Sequence, residues 1–164
     1  MACSVSQKYV KDIISSRPWA GPVIDLGAGG LDYYYKPFFK DQQYIKLDIE
    51  KKPTWEINLV ADILHMPLVV SNTFGVVLLL ETLEHVANPF SAFNEAARIL
   101  KPGGLFICTT VSVWTEHKHP KDYWRFYPDG LKELCKTAGL KLIDCKLLPN
   151  PTTGHQHCNC AATK

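Results

Sequence analysis

Long apolar runs are missing from this sequence. No stretch reaches the roughly 18 consecutive apolar residues that a membrane-spanning helix needs, so no membrane partner is expected. Charge of one sign is scarce as well. Eighteen Lys and Arg stand against 16 Asp and Glu, a formal net charge of +2, and no basic cluster exceeds two neighbours. That balance speaks against a nucleic-acid surface, which needs a basic stripe facing the phosphates. The opening "MACSVSQKYVKDII" has no basic segment followed by an apolar core. It is therefore not read as a secretory leader, and a cytoplasmic protein is expected. The six cysteines are then read as reduced thiols rather than a disulfide framework. Cys108, Cys135 and Cys145 fall in apolar segments, where a thiol behaves as a small hydrophobe. Metal-ligand spacing is lacking too. "HQHCNC", with His155, His157, Cys158 and Cys160, matches none of the usual zinc patterns, so no metal is expected and the tail reads as an edge strand. Internal repeats and low-complexity linkers are also absent.

What is present is an alternation of strands and helices over 164 residues, expected to form a single domain, 1–164. Val10, Ile13 and Ile14 line one face of a first helix over 5–16, ended by Arg17-Pro18. "PVIDLG" is an apolar run stopped by glycine and reads as a buried parallel strand. "QYIKLDI" and "NLVAD" read as strands ending at Asp48 and Asp62. "GVVLLLE", apolar on both faces, reads as a central strand. Asn88-Pro89 starts a helix with Phe90, Phe93, Ala97 and Leu100 in helical spacing, and "KPGG" at 101–104 stops it. "LFICTTV" is a fifth strand. A helix opened by Pro128 carries Leu131, Leu134, Cys135 and Ala138 on one face and stops at Gly139. "LKLIDCKLL" is a sixth strand, and 155–162 offers an antiparallel seventh. The fold expected is α/β: a doubly wound, mostly parallel Rossmann-like sheet of six or seven strands, with helices on both faces.

Ligands of such sheets bind beyond the carboxyl ends of the strands. There this chain gathers Asp25 to Gly30, Asp48, Asp62 and Glu81. A dinucleotide loop needs a third glycine for close packing of the helix, and counting from Gly27 that position is Asp32. An acid there repels a pyrophosphate, and Pro37 leaves room for only a short helix. A nicotinamide-dependent oxidoreductase is thereby disfavoured. A cationic or zwitterionic nucleoside suits the acids better, and S-adenosylmethionine has that chemistry. Asp48 follows Gly27 by 21 residues, about the spacing at which an acid accepts from ribose hydroxyls. Ile49 is placed to cover an adenine face, and Asp62 to accept from its exocyclic amine. Each acid taken singly also reads as a strand-end or capping residue.

The stretches "VIDLGAGG", "YIKLDIE", "VADILHMPLVVSNTF", "VVLLLETLEHVANPFSAFNEAARILKPGGLFICTT" and "HPKDYWRFYPDGLKELCKTAGL" run in this order over most of residues 23–140. Together they resemble a class I S-adenosylmethionine-dependent methyltransferase of the small type 11 domain. The resemblance implies that the backbone of Gly27, Ala28 and Gly29 passes the methionyl part and that Asp25 helps hold its ammonium. It further implies that Asp48 takes the ribose diol, that Asp62 and Ile63 take the adenine edge, and that Glu81 faces the methionine or the acceptor. The chain departs from the family pattern at Leu31, where a third glycine is common, at Gly75, where Asp is usual, and at Tyr127, where Thr or Ser often caps the last helix.

Methyl transfer needs chiefly positioning and exclusion of water, with a general base only for a protonated acceptor. "ETLEHV" sets Glu81, Glu84 and His85 beyond strand four; His85 reads either as that base or as a structural histidine at a helix start. "EHKHPKDYWRFYP" follows strand five, where a loop can cover the site's mouth. There His119 is a second candidate base, and His117, Tyr123 and Arg125 are candidate acceptor contacts, Arg125 able to meet an acidic group bidentately. Packing onto the domain is the favoured reading of the rings of Tyr123, Trp124 and Phe126, whereas His119 and Arg125 are read towards the acceptor, with pairing of Arg125 to a surface acid as the alternative. The function expected is methyl transfer to an oxygen or nitrogen of a small-molecule acceptor, by a monomer or homodimer. A protein that binds S-adenosylmethionine or S-adenosylhomocysteine without transfer is the alternative.

Overall fold

The computed structural model describes residues 4–29 and 34–164. Seven strands form one sheet: β1 (Val23–Leu26), β2 (Tyr44–Asp48), β3 (Leu59–Val60), β4 (Phe74–Leu80), β5 (Leu100–Val113), β6 (Lys141–Pro149) and β7 (Gln156–Thr163). Their order is β3-β2-β1-β4-β5-β7-β6. β3 through β5 pair in parallel, and β7 runs antiparallel between β5 and β6. The strand order reverses between β1 and β4, the crevice where such sheets take ligands.

Two cores sandwich the sheet. Alternate residues of a strand face opposite sides. Val76 and Leu78 of β4 therefore join Val10 and Ile14 of α1 (Ser4–Ser15), while Val77 and Leu79 join the other face. There α2 (Pro89–Ile99) and α3 (Pro128–Thr137) bring Phe93, Ile99, Leu131 and Leu134, and Phe93 meets Phe106 of β5 edge to face at 5.0 Å. Fully burying such side chains contributes about 1.5–3 kcal/mol each. α2 starts as its sequence implies: Asn88 accepts from the Ser91 N–H at 3.1 Å and Pro89 occupies the first turn. Tyr127 stands at the start of α3 with no side-chain cap.

Two boundaries differ from the sequence reading. α2 ends at Ile99, and Leu100 already pairs with Phe74, so "KPGG" belongs to β5 rather than to a helix stop. The third strand shortens to Leu59–Val60, leaving Asp62 in an isolated bridge with His65. Among the described residues, the link from β1 to β2 holds a 3-10 turn at Lys36–Phe39, as Pro37 suggests. Gly75 also finds its reason. A Cβ there would lie 1.8 Å from the Ala20 carbonyl oxygen, because the approach to β1 crosses the start of β4 at contact distance. The tail enters the sheet within its own chain as β7, paired on both sides by β5 and β6, so it is a buried inner strand and not the edge strand the sequence suggested. Among the described residues no helix is long and apolar enough to cross a membrane.

Candidate active site

β1 ends in a turn that leaves the sheet at Gly27, whose φ is +71°. The amides of Gly27 and Ala28 both donate to the Leu47 carbonyl, at 2.9 and 3.0 Å. A Cβ on Gly27 would stand 2.3 Å from the Thr82 side chain, so glycine is required by both conformation and space. Gly29 donates to Asp48 Oδ2 at 2.7 Å, and Asp48 Oδ1 accepts from the Glu50 N–H at 3.3 Å. The acid at the end of β2 is thus buried and already orders the glycine loop. Asp25 lies one step back along β1, its Oδ2 accepting from the Tyr44 hydroxyl at 2.9 Å. Loss of hydration lifts its pKa to about 6, against Tyr44 and Lys46, which favour the ionised form.

The other sequence-predicted cofactor positions lie further along the rim. Asp62 is exposed and accepts from the Leu64 N–H at 2.9 Å, while Ile63 is buried and Ile49 is 64% exposed. Gly30, Leu31, Asp32 and Tyr33 lie outside the described residues, so the argument from Asp32 has no structural counterpart.

Glu81 leaves β4 with φ +50°, a left-handed turn that costs a non-glycine residue about 1–2 kcal/mol. Two contacts hold it: its N–H donates to the Thr109 carbonyl at 2.8 Å, and its carboxylate meets His157 Nδ1 at 3.1 Å. This pairing joins the sequence's tail to its centre and was not legible beforehand. The adjoining 3-10 turn, Leu83–His85, drops Glu84 into the core, where Thr110 Oγ1 donates to its Oε2 at 2.7 Å. Burial and the charge of Glu81 raise the Glu84 pKa to about 7. His85 Nδ1 lies 2.6 Å from the Lys121 carbonyl oxygen, and burial lowers its pKa, which keeps the ring neutral at pH 7.

The loop after β5 folds back over this turn. Tyr123 N donates to the Glu84 carbonyl at 2.8 Å, and the Trp124 indole N–H to the Val86 carbonyl at 2.9 Å. The rings of His117 and His119 approach that of His85 at 4.9 and 5.5 Å. Three histidines from two segments therefore gather beside the Leu83–His85 turn, with His119 and Tyr123 exposed.

Arg125 corrects the sequence reading. Its guanidinium grips Asp122 bidentately at 2.6 and 2.7 Å and also donates to the carbonyls of Trp114, Thr115 and Trp124. With all five N–H groups used it offers no fork to an acceptor. The arginine holds the Asp122 carboxyl far below the usual carboxylate range. Asp122 in turn accepts from the His117 N–H at 2.8 Å, so the pair shapes the loop. Asp122, Glu84 and Thr82 carry more of this geometry than the sequence suggested; they look ordinary until the loop closes. An open hollow of about 310 Å³ lined by Arg17, Trp19 and Lys101 lies at the amino ends of the strands, away from this rim.

A family model described as "Methyltransferase domain" matches residues 24–108, just over half of the chain. A curated relative, the ubiquinone biosynthesis O-methyltransferase of Ruegeria pomeroyi, is 27% identical across 87% of this chain and 69% of its own length. Among solved structures, the 1,6-didemethyltoxoflavin-N1-methyltransferase of Burkholderia thailandensis, with S-adenosylhomocysteine bound, is similar with a TM-score of 0.72, at 18% identity over 97% of this chain and 76% of its own. The [4+2]-cyclase SpnF is similar in fold, with a TM-score of 0.76 at 14% identity, over 100% of this chain and 84% of its own. With the glycine turn, the acids of the rim and this match in place, the chain belongs to the type 11 family of S-adenosylmethionine-dependent methyltransferase domains.

Proposed function

We propose that this single domain moves the methyl group of S-adenosylmethionine to a hydroxyl of a small-molecule acceptor. The observation that carries the reading is the Asp48–Gly29 contact at 2.7 Å, which presents a buried carboxylate and bare backbone to one space. In it Asp48 takes the ribose diol, the backbone of Gly27, Ala28 and Gly29 passes the methionyl part, and Asp25 meets the ammonium. Asp62, Ile63 and Ile49 border the adenine, and Glu81 faces the methionine. The likeness to an O-methyltransferase favours oxygen as the nucleophile.

The acceptor enters beside Tyr123 and the histidines. An oxygen lone pair attacks the methyl carbon in line with the departing sulfur. The carbon–sulfur pair stays on sulfur, the sulfonium becomes the neutral thioether of S-adenosylhomocysteine, and the hydroxyl proton passes to an imidazole. In this reading His85 or His119 takes the proton, His119 being the more exposed of the two rings. The reduced cysteines and balanced charge support a cytoplasmic setting, as monomer or homodimer.

Calorimetric titration with S-adenosylhomocysteine, with NADH in parallel, tests the reading. Micromolar binding of the first, none of the second, and loss with Asp48→Ala are expected; binding of neither ligand would sink it. The likeness to a cyclase keeps a second reading in view, cofactor binding without transfer. Binding without turnover over a panel of hydroxylated acceptors favours that one.

A further inference from the structure

Beside the cofactor rim, three ligating atoms from two loops converge. Glu84 Oε1 lies 4.0 Å from His85 Nε2 and 3.8 Å from His117 Nε2, and the group's atoms all fall within 4.8 Å of one another. Glu84 is fully buried, and among the described residues this oxygen has no hydrogen-bond partner. An unmatched buried carboxylate oxygen is costly, and a protein keeps one where something compensates it.

The backs of both rings are tied. His85 Nδ1 lies 2.6 Å from the Lys121 carbonyl oxygen, an acceptor only, which fixes the proton on Nδ1 and leaves the Nε2 lone pair turned towards Glu84. His117 Nδ1 stands 3.3 Å from the Thr115 carbonyl oxygen and 3.5 Å from Asp122 Oδ2. Asp122 is itself locked by Arg125. Metal-bound histidines show this pattern, the far ring N–H donating to a carbonyl or carboxylate that sets tautomer and angle.

From this we infer that Glu84, His85 and His117 hold a divalent cation of the zinc class. Two imidazole nitrogens and one carboxylate oxygen suit such a borderline ion, with a further position left for water or an acceptor oxygen. Bonds of about 2.1 Å put tetrahedral ligand atoms roughly 3.4 Å apart, so binding draws the three inward by roughly 1 Å. Glu84 is sealed from solvent, while His85 keeps 11% and His117 28% of its side chain exposed, so the group is reached chiefly from the His117 side. A hydroxyl on the cation loses its proton more readily, and the proton passes to His119, since His85 is then a ligand.

The test needs no methyl acceptor. Zinc titrated calorimetrically into chelator-stripped protein is expected to bind at one equivalent. Co(II) in its place is expected to give visible d–d bands of a nitrogen- and oxygen-ligated site. Glu84→Gln and His117→Ala should each weaken binding by about 100-fold or more, since even losing a supporting partner costs 10–100-fold. His65→Ala, an exposed ring beyond β3, should bind as the parent does. Glu84→Gln retains a carbonyl oxygen for Thr110, so a thermal unfolding scan matching the parent's excludes misfolding as the cause. No stoichiometric binding to the parent, or equal binding by Glu84→Gln and His117→Ala, overturns the inference. S-adenosylhomocysteine titrated into the same samples reports on the methyltransferase reading separately.

Discussion

The acids at the ends of β1 and β2 and the histidines around Glu84 stand on one rim but are held by different contacts. Asp48 is fixed by backbone N–H groups, that of Gly29 beyond the end of β1 and that of Glu50 two residues on, and Asp25 by Tyr44 on the neighbouring strand. His85 and His117 are set by a loop some thirty residues on, through Lys121, Asp122 and Arg125. The first group is set by strand ends that the sheet itself fixes. The second takes its shape from a closed loop, so it is the half that can differ between proteins sharing one cofactor.

The largest effect expected separates the halves by chemistry. If His119 takes the acceptor's proton as proposed, His119→Ala should lower kcat by about 10²-fold or more while affinity for S-adenosylhomocysteine stays as in the parent. Equal loss of both, by single-turnover kinetics and calorimetry, would erase the distinction. Next, Gly27→Ala forces a left-handed φ of +71° on a residue whose Cβ meets Thr82. It should weaken cofactor binding by about 100-fold, from roughly 2–3 kcal/mol of strain and displacement.

A third expectation concerns pH. Burial raises the folded-state pKa of Asp25 from 3.8 to about 6. The stability this gives is fully present below about pH 4 and is lost as pH rises through 6. Relative to Asp25→Asn, the parent should therefore lose stability between pH 4 and 7, by at most about 3 kcal/mol in denaturant melts. Cofactor affinity should run the opposite way, rising through pH 6 as the carboxylate ionises and meets the ammonium, and staying flat in Asp25→Asn. A parent melt unchanged over that range would show the carboxylate better solvated than its burial implies. The smallest effects lie outside the site, at the starts of α2 and α3. Asn88→Ala should cost about 1 kcal/mol, and Tyr127→Ser should gain about 0.5–1 kcal/mol by supplying the missing cap. Thermal shifts of opposite sign would check both.

Most of the sheet was legible because its signals are short-range. The apolar run of β4, the Asn88-Pro89 start of α2 and the glycine stop at β1 each act within one turn or one strand. Boundaries failed where tertiary contact won: "KPGG" was drawn into β5 by pairing of Leu100 with Phe74, and β3 shortened before Asp62 turned to bridge His65. Arg125 was misread because a guanidinium's partner depends on where a loop closes, and Asp122 three residues earlier claims it.

What the sequence determined by itself is therefore the fold, the family and the gathering of acids at the ends of β1, β2 and β4, all of which follow from residue spacing and local charge. Only the tertiary structure decided that Glu81 meets His157, that Glu84 is buried with one oxygen unmatched, and that His85 and His117 turn their Nε2 atoms towards it. Those contacts join segments some thirty to eighty residues apart. Their geometry is fixed by the packing of the β5 loop on the Leu83–His85 turn, which no local propensity encodes.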